Sequence, residues 1–597
     1  MPMRMLLPLF VVLLVPAAAA GQAADLVLTG ARVWTGDADR PWAEAVAVRG
    51  DRILAVGTAA EIAPLVAPDT RLYRLDPANL VVPGFIDNHT HFASAGALLV
   101  GVNLLDVADE AGLVRRVREA RDRLPAGAWI VGGDWGAYEA WAMGSTGAAG
   151  AGKGEGKAGG GREGRAEREF RPHRGMIDSI TPANPVLLSK WNRSAYLANA
   201  RALEEAGVDC TWDGVECERG VPTGRLSPAA AARVRAVIPP KRLEQRLVEA
   251  RAALARLREF GVTTIHDITA AEQLHVFQEL RRRGELTVRV GVRPTLDKWD
   301  ELRAVGIRHG FGDEWIRITG LKGFADGIMG NSSARFYEPY LTTGVRGSWR
   351  DSTNTGATSG PGSGMEPPGN MLRNLLGADS SGLSPRVHAI GDEAVDTILD
   401  LMEHVIETNG PRDRRFAVIH AQVLRGPETA ARMARLGIIA EMQPYHTIDD
   451  MRWMEERIGD RARWAYAFRT LDEAGVLLSF GSDWPGTNAS WYTVNPLHGI
   501  YAAVTRQTLD GEPAGGWFPE ERIDVEAALR AYTVNNAWMA GEEALKGAIR
   551  PGLLADLVVL ERDPFRVAPS EIKDIRVRYT ILGGEVVFAR GERAALR

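Results

Sequence analysis

Between Leu80 and Ser482, short apolar runs rich in β-branched residues alternate with longer amphipathic stretches. That alternation constrains the fold more than any other feature of the chain. A strand whose following helix leads back to a parallel strand is the repeating unit of α/β proteins. The candidate strands are Leu80–Ile86, Val262–His266, Val288–Val292, Ile316–Lys322, Arg386–His388, Phe416–His420, Ile438–Gln443 and Val476–Ser482. That is the number a closed (β/α)8 barrel requires. Helices over Lys241–Phe260, Asp392–Asn409 and Pro427–Leu436 fall between them. The expected architecture is therefore α/β, a TIM-like barrel over 83–546.

The barrel does not account for the whole chain of 597 residues. The stretch from about Asn103 to Pro240 is too long for one βα loop and reads as an inserted subdomain. Inside it, 143–168 is Gly/Ala/Lys/Glu-rich and too poor in apolar residues to offset ordering entropy, so a surface loop is expected. Thr342–Asn370 is rich in Gly, Ser and Thr, and as a weakly structured segment before His388 it is placed to lie over the barrel mouth. Residues 24–82 and 547–597 each carry short strands with Gly and Asp turns, as in Val577–Leu582, Gly583-Gly584 and Glu585–Phe588. Neither end buries a β core alone, and together they are expected to form one small β-sandwich.

Residues 1–23 have the order of a secretory signal: one positive charge at Arg4, an uncharged run over Leu6–Val15, then Pro16 and small residues with cleavage near Ala20 or Ala23. The apolar run is shorter than the ~20 residues of a membrane-spanning helix, although an uncleaved anchor is the alternative. The expectation is an exported protein, periplasmic or extracellular, without stable membrane insertion. The formal net charge of -5, with both signs interspersed, gives no reason to expect a nucleic-acid partner. The cysteines, Cys210 and Cys217, either pair in an oxidising compartment or stay reduced, and neither has an expected catalytic role.

Chemistry enters where the strands end. Phe85-Ile-Asp-Asn runs into His89-Thr-His91, and alternate strand residues share a face, so both imidazoles point one way. Further strands run out of apolar residues at Lys322, His388, His420 and Asp483. Each alone reads equally well as an ordinary polar terminus. In a barrel these ends converge on one face, which is where active sites of that fold lie.

The order His-x-His, Lys, His, His, Asp resembles the amidohydrolase superfamily. Pro83-Gly-Phe-Ile-Asp-Asn-His-Thr-His, Gly320-Leu-Lys-Gly-Phe-Ala-Asp-Gly, His388-Ala-Ile-Gly-Asp, Gln443-Pro-Tyr-His, Gly481-Ser-Asp-Trp-Pro and the closing run from Lys546 to Leu560 resemble its branch containing N-substituted formamide deformylases (amidohydrolase family 3). The resemblance implies two divalent ions, with zinc the first choice for such ligands. His89, His91 and Asp483 would hold one, His388 and His420 the other, and a carboxylated Lys322 would bridge them. An unmodified ammonium has no lone pair to offer a cation. The alternative for Lys322 is a salt bridge to Asp326 and a single ion. A bridging water would ionise near neutral pH, since a metal lowers its pKa from ~15.7 towards ~7. The resulting hydroxide would attack a polarised carbonyl, with Asp483 moving the proton to the leaving nitrogen. The branch commonly has Asp-Gly-His in the insertion, where this chain reads Asn192-Arg193-Ser194, which leaves the substrate open.

Lower-ranked candidates for substrate contact are His446, Asp326, His266 and Trp135. For His446 the alternative is a rim histidine beside a helix N-cap at Asp449 or Asp450. Asp392 reads as a helix cap, and Trp135, Tyr138 and Trp141 equally suit the core of the insertion. The function expected is hydrolysis of a non-peptide or N-acyl amide in a small molecule. An ester hydrolase or N-blocked peptidase would use the same site, and a catalytically silent secreted binding protein is the reading from another class. A homo-oligomer is compatible with all of these.

Overall fold

The computed structural model describes residues 23–105, 107, 109–136, 170–190, 194–350, 370–486 and 493–591. The signal segment up to residue 22, the loop 143–168, Tyr138, Trp141, Asn192 and Arg193 lie outside these residues, as does 351–369 of the second weakly structured stretch.

Two all-parallel sheets occupy the middle of the chain. In one, Phe85–Thr90, Val262–Ile268, Arg289–Arg293 and Ile316–Ile318 lie side by side. In the other the order is Leu321–Phe324, Pro385–Ala389, Ala417–His420, Ile439–Met442 and Leu478–Phe480. Parallel bridges tie their edges, Thr90 to Trp484 on one side and Thr295 to Lys322 on the other. The strands are buried on both faces, as parallel strands covered by crossover helices are, and Val262, Val290, Val387, Val418 and Ala440 share one apolar cluster with the helices.

Two expected strands are each split. Leu80–Ile86 breaks at Gly84, where a Cβ would meet Thr263 Oγ1 at 2.1 Å. Leu80–Pro83 goes to the sheet of the chain ends and Phe85–Thr90 to the parallel layer. Ile316–Lys322 breaks at Gly320, against which the Arg386 side chain packs, at 2.7 Å from a would-be Cβ. Ile316–Ile318 then pairs with one sheet and Leu321–Phe324 with the other.

Both chain ends join one eight-stranded sheet, Leu557–Leu560 lying antiparallel to Leu80–Pro83. Arg289 on a parallel strand grips Asp556 through two hydrogen bonds of 2.6 and 3.0 Å, fixing this sheet to the parallel layer. The stretch 103–240 carries its own five-stranded sheet, from Ile130–Trp135 to Val221–Leu226. It has two apolar clusters of its own, and Cys210 and Cys217 form a disulfide there.

A fully buried ionic triad lies within the parallel layer. Glu441 accepts from Arg293 at 2.7 and 3.2 Å and from Arg386. Other guanidinium donors of the pair reach the carbonyls of Asn88 (2.8 Å), Thr319 (3.1 Å) and Met539 (2.7 Å). Burial opposes the Glu441 charge, but the two arginines hold its carboxyl below the usual range. Removing one partner from such a group leaves an unpaired buried charge, a loss of about 3–5 kcal/mol. Glu441→Leu is therefore expected to lower the unfolding free energy by about that much, read as a lower urea midpoint at unchanged slope. A loss under about 1 kcal/mol would show that the triad contributes little.

Candidate metal centre

His89 lies on the strand Phe85–Thr90 and His91 caps the helix Phe92–Val100 that follows. Asp483 comes three residues after Leu478–Phe480. The backbones of these segments are fastened together: Asp483 N–H donates to His89 O and His91 N–H to Trp484 O, each at 2.8 Å. The side chains consequently converge. His91 Nε2 is 2.9 Å and His89 Nε2 3.3 Å from Asp483 Oδ1, and that oxygen has no hydrogen-bond partner of good geometry.

His420 ends the strand Ala417–His420 with a left-handed backbone, φ 76°, and Asp483 has φ 56°. His420 Nδ1 lies 2.7 Å from Gln443 Oε1. An amide oxygen only accepts, so Nδ1 carries the proton and Nε2 the lone pair. The His420 ring is 5.6 Å from His89, 4.6 Å from His388 and 6.3 Å from His446, centroid to centroid. Two groups place their ligand atoms within 4.8 Å of one another: His89, His91 and Asp483, and His420, His446 and Asp483. His388 is beside them, but its Nε2 is 2.9 Å from Gly327 O and 3.4 Å from Asp326 Oδ1.

Lys322 is fully buried, and its Nζ has no hydrogen-bond partner. It makes no ion pair with Asp326 among the described residues; Nζ sits 4.8 Å from the Phe324 ring centroid. Burial pulls its pKa down to about 7, with Asp483 and Glu441 opposing. Burial likewise holds His89 near 3 and His420 well below its ordinary value, so both imidazoles are neutral, as ligands must be, at neutral pH. Burial would raise the Asp483 carboxyl, but His89 and His91 outweigh it and hold the group ionised.

The lower-ranked candidates separate. His446, buried, opens the helix His446–Asp450, whose N-cap is Tyr445 and not Asp449 or Asp450. Asp326 reaches the cluster only at His388, and its oxygens also accept from the backbone N–H groups of Arg335, Ile390 and Gly391 at 2.8–3.1 Å, fixing the loops beyond two strands. His266 is buried within the layer, with Nδ1 3.0 Å from Thr319 Oγ1. Trp135 packs in the apolar core of the insertion. Asp392 is the first helical residue, after Gly391 at the cap, and its Oδ1 accepts from Tyr337 N–H at 3.0 Å.

Four residues hold the candidate ligands, and sequence reasoning gave Gln443 and Asp87 no role, Asp450 only that of a helix cap, and Asp267 that of a strand end supporting the site or facing substrate. Gln443 sets the His420 tautomer. Asp87 accepts from His89 N–H (3.1 Å) and Ser482 N–H (2.9 Å), joining the segments that carry His89 and Asp483. Asp267 accepts from Phe92 N–H at 2.8 Å and Thr90 Oγ1 at 3.2 Å, on either side of His91. Asp450 accepts from Gln422 Nε2 at 2.6 Å and from the Tyr466 hydroxyl, pinning the helix of His446. The available signal was an aspartate inside an otherwise apolar run, as in Phe85-Ile-Asp and His266-Asp-Ile.

Residues 79–588 match the Amidohydrolase family, and the chain belongs to that family: it is a metal-dependent hydrolase of the class acting on carbon–nitrogen bonds. It is 32% identical to Protein LONG AFTER FAR-RED 3 of Arabidopsis thaliana, over 95% of this chain and 92% of that one. It is 26% identical to the N-substituted formamide deformylase of Arthrobacter pascens, over 95% and 99% of the two chains. An uncharacterized metal-dependent hydrolase from Pyrococcus furiosus shares the fold, with a TM-score of 0.67 at 23% identity over 91% of this chain and all of that one.

Asp450 lends the site a pH dependence. Burial raises its carboxyl to about 7, above the ~3.9 of an unfolded chain. The folded state thus holds this proton more tightly, and the contribution present below the unfolded pKa is lost as pH rises through about 7. Asp450→Asn stays neutral, so it should gain stability relative to the parent chain between about pH 4 and 8, by roughly 2–4 kcal/mol. Paired urea titrations at the two pH values test this, and a constant difference would exclude it.

Proposed function

We propose that this protein hydrolyses the amide bond of small N-acyl amines, formamides with an apolar N-substituent first among them, at a divalent metal centre at the mouth of a closed eight-stranded barrel. The barrel reading rests on the two edge bridges that link the parallel sheets. Both chain ends would form the small β-sandwich beside it. One observation carries the functional reading: neutral imidazoles, an ionised carboxylate and a partnerless lysine amine are buried against one another. Such orphaned polar atoms are costly inside a protein unless a cation or a modification satisfies them. The donor set of imidazole nitrogen and carboxylate oxygen suits zinc.

By this reading His89, His91 and Asp483 hold one ion, and His420, with Lys322 as its carbamate, belongs to a second; His388 is the partner that the resemblance implies. A bound divalent ion polarises a carbonyl and lets a water ionise near neutral pH. The protein contributes position and protons. Asp483, ionised and fixed by the His89 carbonyl, is the group able to accept a proton and return it to a leaving nitrogen. A cavity of about 160 Å³ opens beside Trp484, lined by Ala95, Leu98, Leu99, Leu105 and Phe260 and also by Asn103, Arg256 and Thr493, so it offers room for an N-substituent with both apolar and polar neighbours. The Arthrobacter pascens relative, by its name, acts on N-substituted formamides.

The test is a panel of N-formyl and N-acyl benzylamines with their matched benzyl esters and blocked dipeptides, on zinc-loaded protein. Turnover of the formamides, falling at least about 100-fold in Asp483→Asn, is the expected result. Turnover of esters or dipeptides alone would reassign the bond, and none at all would favour the binding-protein reading. The carbamate has its own test, because its formation needs carbon dioxide and an unprotonated amine, which burial of Lys322 supplies near pH 7. Zinc reloading in carbon dioxide-free buffer should bind fewer ions than reloading with bicarbonate, and Lys322→Glu should lose that dependence. Equal loading in both buffers would leave Lys322 unmodified.

A further inference from the structure

The second group of convergent ligands contains a residue for which the resemblance supplies no metal role. We propose that His446 is a ligand of the second metal position, completing a set with His420 and Asp483 in which Asp483 is shared by both positions. The inference rests on the metal-centre reading above and extends it.

Four features place His446 there. Its ligand atom lies within 4.8 Å of those of His420 and Asp483, and all three side chains are buried. Its ring stacks on that of His420, 6.3 Å apart at 24°. Its helix is also held from both sides: Asp450 takes hydrogen bonds from Gln422, two residues beyond His420, and from Tyr466. The ring further hydrogen-bonds the backbone of Ser482, the residue before Asp483. An imidazole that donates one N–H to a carbonyl presents its second nitrogen as a lone pair, which is how ligating histidines are oriented. His420 is prepared alike, its Nδ1 proton given to Gln443. His388 also gives its Nε2 to a carbonyl, that of Gly327 at 2.9 Å, leaving Nδ1 as its lone pair, but it belongs to neither of the two groups whose ligand atoms converge within 4.8 Å. Two imidazoles and a carboxylate make the three-ligand set after which a zinc site keeps one open position.

The deciding measurement is zinc binding to the chelator-stripped full chain, by competition with a chromogenic chelator, for the parent protein, His446→Gln and His388→Gln. Two ions are expected in the parent. In His446→Gln the weaker-bound ion should lose at least about tenfold in affinity, as loss of a ligand or its orienting partner does. The other ion should be retained, and His388→Gln should be affected less. Two ions at parental affinity in His446→Gln would overturn the assignment while leaving the metal centre standing. No ion in the parent would remove the metal-centre reading itself. Should His446→Gln fail to fold, anomalous diffraction at the zinc edge from zinc-loaded parent crystals decides. An ion about 2.0–2.1 Å from a His446 nitrogen supports the assignment, and a zinc centre that leaves His446 unbonded overturns it.

Discussion

A fully buried carboxylate held between two guanidinium groups is the constraint on which the site depends. Glu441 cannot leave Arg293 or Arg386 without exposing a bare charge to a low-dielectric interior. The three residues come from three different strands, so the triad sets the mutual height of those strands. Its outer donors also take the carbonyls of Asn88 and Thr319. Asn88 immediately precedes His89, and Thr319 lies three residues before Lys322. The candidate ligands therefore rest on a charged floor that fixes their register, and burial is what disfavours a protonated lysine above it.

Above this floor, short polar links carry the placement outward. Asp87 ties the segment of His89 to that of Asp483, Asp267 braces the turn at His91, Gln443 steers His420 and Asp450 pins His446. Buried polar networks of this kind cost energy when half satisfied and specify one arrangement when complete. The first ligand group sits at one point of the parallel layer where two strand ends are stitched by backbone hydrogen bonds, which lets residues nearly 400 positions apart meet with little freedom.

How much of this could be read in advance follows from what each feature depends on. The polar positions His89, His388, His420 and Asp483 were legible because a polar side chain that stops an apolar run is local, whereas Lys322, expected to end a strand, is the second residue of Leu321–Phe324. The alternation of strands and helices was legible for the same reason, and the helices Asp392–Asn409 and Pro427–Leu436 have the extents expected of them. The breaks at Gly84 and Gly320 were not, because they arise from Thr263 and Arg386 packing against them from other strands. Ligand orientation was illegible too. That His388 turns Nε2 to Gly327, or that Asp326 spends its oxygens on three backbone amides, depends on loops whose paths no periodicity reports. Trp135 could have been pocket or core, and only its neighbours decide for the core.

Two of the ligands sit on left-handed backbone, His420 at φ 76° and Asp483 at φ 56°. Side chains other than glycine hold that conformation at an expense of order 1–3 kcal/mol, least for residues such as Asp and His. The fold would be relieved, on the backbone's account, by glycine at either position. Selection on stability and selection on chemistry thus pull in opposite directions at the same two residues. A descendant that no longer needed these side chains would have a downhill path to a sturdier fold with its candidate site emptied.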